Sequence, residues 1–266
     1  MMDSYESISA AVRISLFGLG GLAAIGVSGQ AQTIPSATAI PVVFVQTVAA
    51  GKAKPGEIVT AKTSQVVFLP DGQVLRSGST VIGHVVESKR FVSNHATNEP
   101  QSPSALSVHF DKIAEGGSTI PLSLSMRAIA GPVASHEASI PHYRDETDST
   151  GMRTLIGGDQ FSPLGKEVLS SSGEVVGFNR KDGVFARLIA ADSAGADSVV
   201  HCAATDTEQS LGVFSARACG AYDLDGDSIS KNGAKGSGTF ALESRHESVK
   251  LYANSAALLQ VVASGR

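Results

Sequence analysis

Short runs of apolar residues that are β-branched, or that alternate with polar residues, recur along the chain from Pro41 onward. The clearest is Leu106–Ile113, in which Leu106, Val108 and Phe110 share one face because strand side chains alternate with a period of two. Turn residues separate the runs that precede residue 131. This spacing predicts a small antiparallel barrel or sandwich in the first half of the chain.

Two glycines and a polar stretch refine this prediction. Gly72 follows Pro70 and Asp71, an order typical of a tight turn. Gly83 lies inside the predicted strand Thr80–Glu87 and indicates a bulge or a close backbone approach. The polar segment Ser93–Ser104 predicts a loop.

Strand-like patterns resume after residue 173. Glu174–Phe178 and Val184–Ala190 flank a charged turn and predict a hairpin. Asp197–Ala203 predicts a short strand, and Ala253–Ala263 is compatible with helix or strand. Thr205–Ala218 predicts a short helix, because its first residue and the Glu three positions later have capping-box spacing.

The fold class expected from these patterns is mainly β: a small antiparallel barrel or sandwich followed by a second β-rich region with a short helix. We expect a β-domain at 32–131 and a second β-rich domain at 164–266. The segment 132–163 contains prolines and a charged cluster, and predicts a linker with room for one helical turn.

The amino terminus resembles a secretory signal peptide. Ile14–Val27 is apolar or small throughout, and Gly29 and Ala31 have the small side chains that signal peptidase requires. We therefore predict a signal peptide at 1–31, although the segment before the apolar run is net acidic. An uncleaved anchor or a buried helix is the alternative. No later stretch is long and apolar enough to predict a transmembrane helix.

Composition excludes several function classes. The chain has 266 residues, 17% of them charged, with a net charge of −4 and no Trp. These values argue against a coiled coil and against a disordered chain. A net acidic chain with 5% aromatic residues has neither the basic field nor the stacking surfaces that nucleic acid requires. We therefore expect no nucleic-acid partner.

The chain has two cysteines, Cys202 and Cys219. In an exported protein, two cysteines most simply form one disulfide. Their spacing differs from the C-x-x-C pattern of a metal pair. The sequence therefore predicts a disulfide between them.

Five stretches of the first half carry a resemblance to a known family. They are Gly56–Ala61, Pro70–Gly72, Ser77–Gly83, Leu106–Asp111 and Thr119–Leu122. Their order resembles the TrbI-type β-barrel of type IV secretion outer-membrane complexes, and similar modules occur in exported bacterial envelope proteins. The resemblance covers about ninety residues, and it implies a β-barrel module of the cell envelope with no catalytic residues to transfer.

An acidic turn offers one candidate metal site. Asp223, Asp225 and Asp227 alternate around Gly226, and alternating carboxylates can converge on Ca²⁺. The glycine and the residue at position twelve do not fit an EF-hand. An acidic turn between strands is the competing interpretation.

Histidines provide two further patterns. His136 and His142, with Glu137, resemble a zinc-protease motif, but the motif needs its histidines four residues apart and here they are six apart. His84 and His109 fall on strands that we expect to be neighbours, which would allow a shared site.

No Gly-x-Ser-x-Gly nucleophile elbow occurs in the sequence. The function that we expect is an exported, non-enzymatic structural or interaction module of the bacterial cell envelope. Its partner would be an envelope protein or a surface polymer, and its location periplasmic, outer-membrane-associated or secreted. The alternatives are a secreted hydrolase whose site is assembled from distant residues, or a calcium-stabilised adhesion module.

Overall fold

The computed structural model describes residues 34–69, 72–93, 102–143, 151–194, 200–224, 226–230 and 238–262. The predicted signal peptide at 1–31 lies outside the described residues, as do Pro70 and Asp71 of the predicted turn and most of the predicted loop Ser93–Ser104.

The described residues form β-strands and a single short helix, α1 (Pro132–Glu137), which confirms the mainly β fold class. In chain order the strands are β1 (Ala39–Phe44), β2 (Val48–Ala49), β3 (Ile58–Thr63), β4 (Val67–Phe68), β5 (Val74–Leu75), β6 (Thr80–Lys89), β7 (Ser104–Glu115), β8 (Ser118–Pro121), β9 (Leu124–Ala130), β10 (Arg153–Thr154), β11 (Gln160–Phe161), β12 (Glu167–Leu169), β13 (Val175–Arg180), β14 (Gly183–Arg187), β15 (Ala191–Asp192), β16 (His201–Cys202), β17 (Glu208–Ser210), β18 (Gly220–Tyr222), β19 (Asp227–Ser230), β20 (Thr239–Ser244), β21 (Lys250–Leu251) and β22 (Ala256–Val261).

A ten-stranded sheet forms a nearly closed barrel. Its spatial order is β18-β9-β22-β1-β3-β6-β7-β20-β19, with β8 pairing to β7. All of its pairs are antiparallel except β18 with β9. The two outermost strands, β18 and β19, are consecutive in the chain and lie close together.

The second sheet has six strands in the order β10-β11-β12-β13-β14-β17. Its central hairpin, β13 with β14, is the one that the sequence predicts, with Phe178 opposite Phe185. Three two-stranded ribbons complete the described strands: β2 with β21, β4 with β5, and β15 with β16.

Two hydrophobic cores explain how the sheets pack. The first fills the barrel, where the ring of Phe110 stacks on those of Phe44 and Phe240 at centroid distances of 6.3 Å and 5.7 Å. The second core lies between the barrel wall and the six-stranded sheet. There the strands β1, β9 and β22 are buried on both faces.

Small side chains permit the second core. Ala39, Ala128, Ala130 and Ala256 form the outer face of those three strands and pack against residues of the second sheet. Because alanine adds only a methyl group to the sheet surface, the two layers can approach closely. A strand buried on both faces loses the polar-apolar alternation of a half-buried strand, which is why these strands are less distinct in the sequence than β7.

The predicted bulge at Gly83 is confirmed. The register between β6 and β7 shifts between Ile82 and Gly83. A Cβ atom at Gly83 would lie 2.3 Å from the carbonyl oxygen of His109. A side chain larger than hydrogen therefore cannot occupy this position without moving β7.

The helix predicted over Thr205–Ala218 is wrong: residues 208–210 form β17, and α1 lies instead at 132–137. The hydroxyl of Thr205 accepts a hydrogen bond from the amide of Leu188 at 2.9 Å, so it caps no helix. Gly212 has a φ of +59°, which a right-handed helix does not allow. Tertiary hydrogen bonds outweigh the local capping pattern here.

The sheet topology is not divided at the predicted linker. The described residues after 131 include β22, which pairs with β1 and β9, and β20, which pairs with β7. Residues 32–266 accordingly form one compact unit. The segment 132–163 contains α1, β10 and β11 and contributes to the second core through Leu155 and Phe161.

Candidate functional site

A cleft of about 760 Å³ lies where the barrel wall, the six-stranded sheet and α1 meet. Its walls come from β1 and β22, the connection between β3 and β4, α1, β10, and the turn between β13 and β14. Polar and charged side chains dominate the lining: Ser64, Gln65, Ser77, Ser135, His136, Ser139, Arg153, Asn179, Lys181, Asp182 and Asn254.

Gln65 fixes the base of the cleft by joining the two sheets. Its side-chain amide donates to the carbonyl of Val184 at 2.8 Å. Its carbonyl oxygen accepts from the amides of Val184 and Gly212, both at 3.1 Å. Gln65 is 5% exposed, and a Cβ at Gly183 would lie 2.2 Å from its side-chain oxygen. The base of the cleft is therefore rigid and closely packed.

Arg153, at the start of β10, forms the wall below α1. Its Nη2 and Nε donate to the carbonyl of Ala138 at 2.9 Å and 3.3 Å, and its guanidinium lies 5.1 Å from the ring centre of Phe161. Burial lowers the pKa of Arg153. No carboxylate among the described residues forms an ion pair with it. The cleft thus contains a partly desolvated cation that has no counter-ion among the residues the structure describes.

The turn between β13 and β14 forms another part of the cleft wall. Lys181 and Asp182 occupy this turn and are exposed, and within the described part of the chain neither forms an ion pair. Asn179 precedes them and donates to the carbonyl of Gly165 at 3.0 Å. The backbone of this wall is held in place while its charges remain available to a ligand.

The serine hydroxyl deepest in the cleft is occupied structurally. Ser135 Oγ donates to the carbonyl of Gly131 at 2.7 Å and accepts from the amide of Ala256 at 2.9 Å. It therefore joins α1 to β22. A hydroxyl held in this way is not activated by a neighbouring base, so Ser135 lacks the arrangement of a nucleophile.

The two histidines expected on neighbouring strands are brought together. His84 on β6 lies directly opposite His109 on β7, with ring centres 5.6 Å apart. Asp111 lies beside both: its Oδ2 is 2.9 Å from His84 Nδ1, and its Oδ1 is 3.7 Å from His109 Nε2. His109 Nδ1 is 3.2 Å from the hydroxyl of Thr239. These four side chains form a polar cluster on the outer face of the barrel.

Two residues of the predicted acidic turn lie at the ends of the large sheet: Asp223 follows β18, and Asp227 begins β19. Asp223 has a φ of +51°, and its Oδ2 accepts from the amide of Ala134 at 3.2 Å. Asp225 lies outside the described residues. Asp227 is in β19, where burial raises its pKa to about 6, an effect partly offset by a hydrogen bond with Ser244.

The zinc-protease pattern of His136 and His142 is not assembled, and the Asp223–Asp225–Asp227 site stays a prediction because Asp225 lies outside the described residues. Those residues contain no group of three or more His, Cys, Asp and Glu side chains placed to hold a metal ion. His136 lies in α1, whereas His142 pairs with Met152 in an isolated β-bridge. The two histidines therefore do not share a helical face.

The predicted disulfide between Cys202 and Cys219 is confirmed, with their Cα atoms 5.9 Å apart. Beside it lies Arg127 on β9, which is 2% exposed. Its Nε, Nη1 and Nη2 donate to the carbonyls of Ala218, Ala203 and Ile189 at 2.9, 2.6 and 2.7 Å. Burial lowers the pKa of Arg127 to about 10. The side chain holds three segments of the disulfide region against the barrel.

Comparison of the chain with protein-family models, with curated proteins and with solved structures gives no match. Among the described residues, no helix has the length and apolar character needed to cross a membrane.

Sequence reasoning missed Arg127, Arg153 and Lys181. Arg127 stands inside an apolar strand, MRAIA, where an isolated charge signals a buried role. Lys181 falls in a turn that the sequence predicts, but nothing local shows that this turn faces α1. Only the tertiary arrangement brings Arg153 and Lys181 to one cleft.

Proposed function

We propose that this chain is an exported, non-enzymatic interaction module of the bacterial cell envelope and that the cleft beside α1 binds its partner. The observation that carries the proposal is the cleft itself, a rigid concave site whose Arg153 and Lys181 have no counter-ion among the described residues. Pre-formed concave sites with a few placed polar groups are the usual form of binding sites.

Two features support an envelope location. The disulfide is compatible with an oxidising compartment, which is periplasmic, outer-membrane-associated or extracellular. The nearly closed barrel agrees with the fold that the TrbI-like resemblance implies. Under this proposal the partner is an envelope protein or a surface polymer.

The test is binding of the purified chain, residues 32–266, to isolated bacterial envelopes. Because charge-assisted contacts contribute about 1.5–3 kcal/mol, we expect Arg153→Gln with Lys181→Gln to weaken binding by roughly tenfold or more. Lys112→Gln, on the exposed side of β7, is the matched control. Equal binding by the cleft variant and the wild type would refute the proposal.

A second candidate function, a hydrolase assembled from distant residues, is favoured by one contact. The hydroxyl of Thr239 is 3.2 Å from His109 Nδ1, and the other nitrogen of that ring faces Asp111. A nucleophile, a base and a carboxylate thus follow one another, as nucleophilic catalysis requires. The 3.7 Å between His109 and Asp111 exceeds a hydrogen bond. Labelling by serine-hydrolase probes that Thr239→Val abolishes would establish this function; no labelling would reject it.

A further inference from the structure

The charges around the cleft define the chemistry of its ligand. We infer that the cleft binds a hydroxyl-rich ligand carrying a carboxylate or phosphate group, such as a sugar acid or sugar phosphate, with Arg153 and Lys181 contacting the anion. This inference rests on the proposed function and specifies the ligand of the same cleft.

Arg153 is the primary anion contact. Its Nε and Nη2 share a single acceptor, the carbonyl of Ala138. A guanidinium carries five N–H donors, so Arg153 keeps donors for a ligand. A cation that is partly removed from water without a counter-ion is costly, and an anionic ligand relieves that cost. The planar guanidinium suits carboxylate and phosphate oxygens in particular.

Lys181 places a second positive charge in the lining of the same cleft. Asp182 is the only carboxylate among the described lining residues. Counted over the described lining residues, Arg153 and Lys181 therefore leave the cleft net positive, while the whole chain carries a net charge of −4. A locally positive site attracts anions even though the protein as a whole is net negative.

The remaining lining fits hydroxyl groups. Ser64, Ser77 and Asn254 contribute polar side chains, and the volume of about 760 Å³ exceeds the needs of a single small ion. A second recess of about 340 Å³, lined by Lys166 and Phe178, also uses Asn179 and Lys181. Both recesses therefore lie beside the turn between β13 and β14.

No Phe, Tyr or Trp is among the described residues that line the cleft, so aromatic stacking contributes little to sugar binding there. Charge must supply most of the affinity. Because salt screens exposed charges, we expect the affinity to fall as ionic strength rises from about 0.05 M to 0.5 M.

The experiment is titration calorimetry of residues 32–266 with galacturonate, glucose 6-phosphate and galactose. We expect the two anionic sugars to bind and galactose to bind at least tenfold more weakly, since a charged contact is worth about 1.5–3 kcal/mol. Arg153→Gln and Lys181→Gln should each weaken the anionic probes by roughly tenfold. Asp182→Asn should strengthen them, and Lys112→Gln should have no effect.

Lys181 is exposed, so Lys181→Gln tests the inference even if Arg153→Gln unfolds the chain. Polygalacturonate distinguishes a polymeric ligand from a small one. If it binds more tightly per site than galacturonate, the ligand is a polymer; if the two bind equally, the ligand is a small molecule. Equal affinity for galactose and galacturonate, or anion binding unchanged in Lys181→Gln, overturns the inference. Cleft-dependent envelope binding without binding of any anionic probe would overturn the inference and leave the proposed function standing.

Discussion

Two buried or half-buried arginines show how the same side chain serves different ends. Arg127 directs three nitrogens at three carbonyls, two of which adjoin the disulfide partners Cys202 and Cys219. Arg153 directs two nitrogens at a single carbonyl and faces a cleft. Engagement of all three guanidinium nitrogens marks a structural arginine, and a free nitrogen beside open space marks one that is available to a ligand.

The largest expected effect comes from removing the structural arginine. Arg127→Met keeps an unbranched side chain but removes the guanidinium donors from three carbonyls: the contact with Ala218 is buried, and those with Ala203 and Ile189 are partly buried. We expect the free energy of unfolding to fall by about 3–5 kcal/mol, with a drop in Tm of about 10 °C. Thermal unfolding followed by circular dichroism measures this. A drop in Tm of less than about 3 °C would show that Arg127, like Arg153, contributes little to stability.

The next effect concerns the disulfide that Arg127 supports. Replacing both cysteines by serine, Cys202→Ser with Cys219→Ser, opens a loop of 17 residues. The chain-entropy account predicts a loss of about 3 kcal/mol. Urea unfolding of this variant and of the oxidised wild type measures the difference in the free energy of unfolding. Because both features secure the same segments, the loss should be smaller when Arg127→Met is already present.

Gln65, at the base of the cleft, is a structural side chain in the same sense as Arg127. Gln65→Ala removes an acceptor from the amides of Val184 and Gly212 and a donor from the carbonyl of Val184. We expect a loss of about 2 kcal/mol, since buried polar groups are left without partners. Urea unfolding checks the loss, and Gln73→Ala, a more exposed glutamine, is the control. A neutral result would contradict the rigid base of the cleft.

Asp227 extends the comparison to a buried charge of the opposite sign. Its Oδ1 has no hydrogen-bond partner among the described residues, and burial raises its pKa from 3.8 to about 6. The folded chain therefore binds a proton more readily than the unfolded chain between these values, so stability decreases as pH rises from about 4 to 6.

Because Asp227 is only partly buried, solvent screening reduces this contribution to about 1 kcal/mol. Asp227→Asn should flatten the pH dependence in that range and raise Tm at pH 7. Tm measured at intervals between pH 4 and 7 checks this, with exposed Asp182→Asn as the control. A variant whose pH profile overlays that of the wild type would contradict the assignment.

The smallest expected change in stability belongs to the cleft cation. Arg153→Gln loses two hydrogen bonds to one carbonyl and a contact with Phe161, and we expect a loss of about 1 kcal/mol or less. Thermal unfolding without ligand measures it. If Arg153→Gln were as destabilising as Arg127→Met, the cation would be a structural element of the second core.

Local patterns predict the parts of the fold that depend on neighbouring residues. The alternation of Leu106–Ile113 identifies β7, the charged turn identifies the hairpin of β13 and β14, and Gly83 identifies a bulge. Each signal depends on the local backbone or on one solvent-exposed face. The disulfide needed only two cysteines and an assumed compartment.

Patterns fail where distant segments decide the structure. The capping signal at Thr205 is overridden by a hydrogen bond to Leu188. The apparent linker carries Leu155 into the second core, and the apparent second domain supplies β20 and β22 to the barrel. The cleft depends on the same long-range packing, so its charged residues carry no mark in the sequence.

The position of β22 has a consequence for how the chain folds. β22 lies between β1 and β9 in the barrel wall, and Ala39 at the start of β1 lies opposite Gln260 near the end of β22. The wall is thus incomplete until nearly the whole described chain has been synthesised. Because contacts between residues so far apart slow folding, this barrel is expected to close only after β22 has been synthesised, and the nascent chain must keep β1 and β9 from aggregating until then.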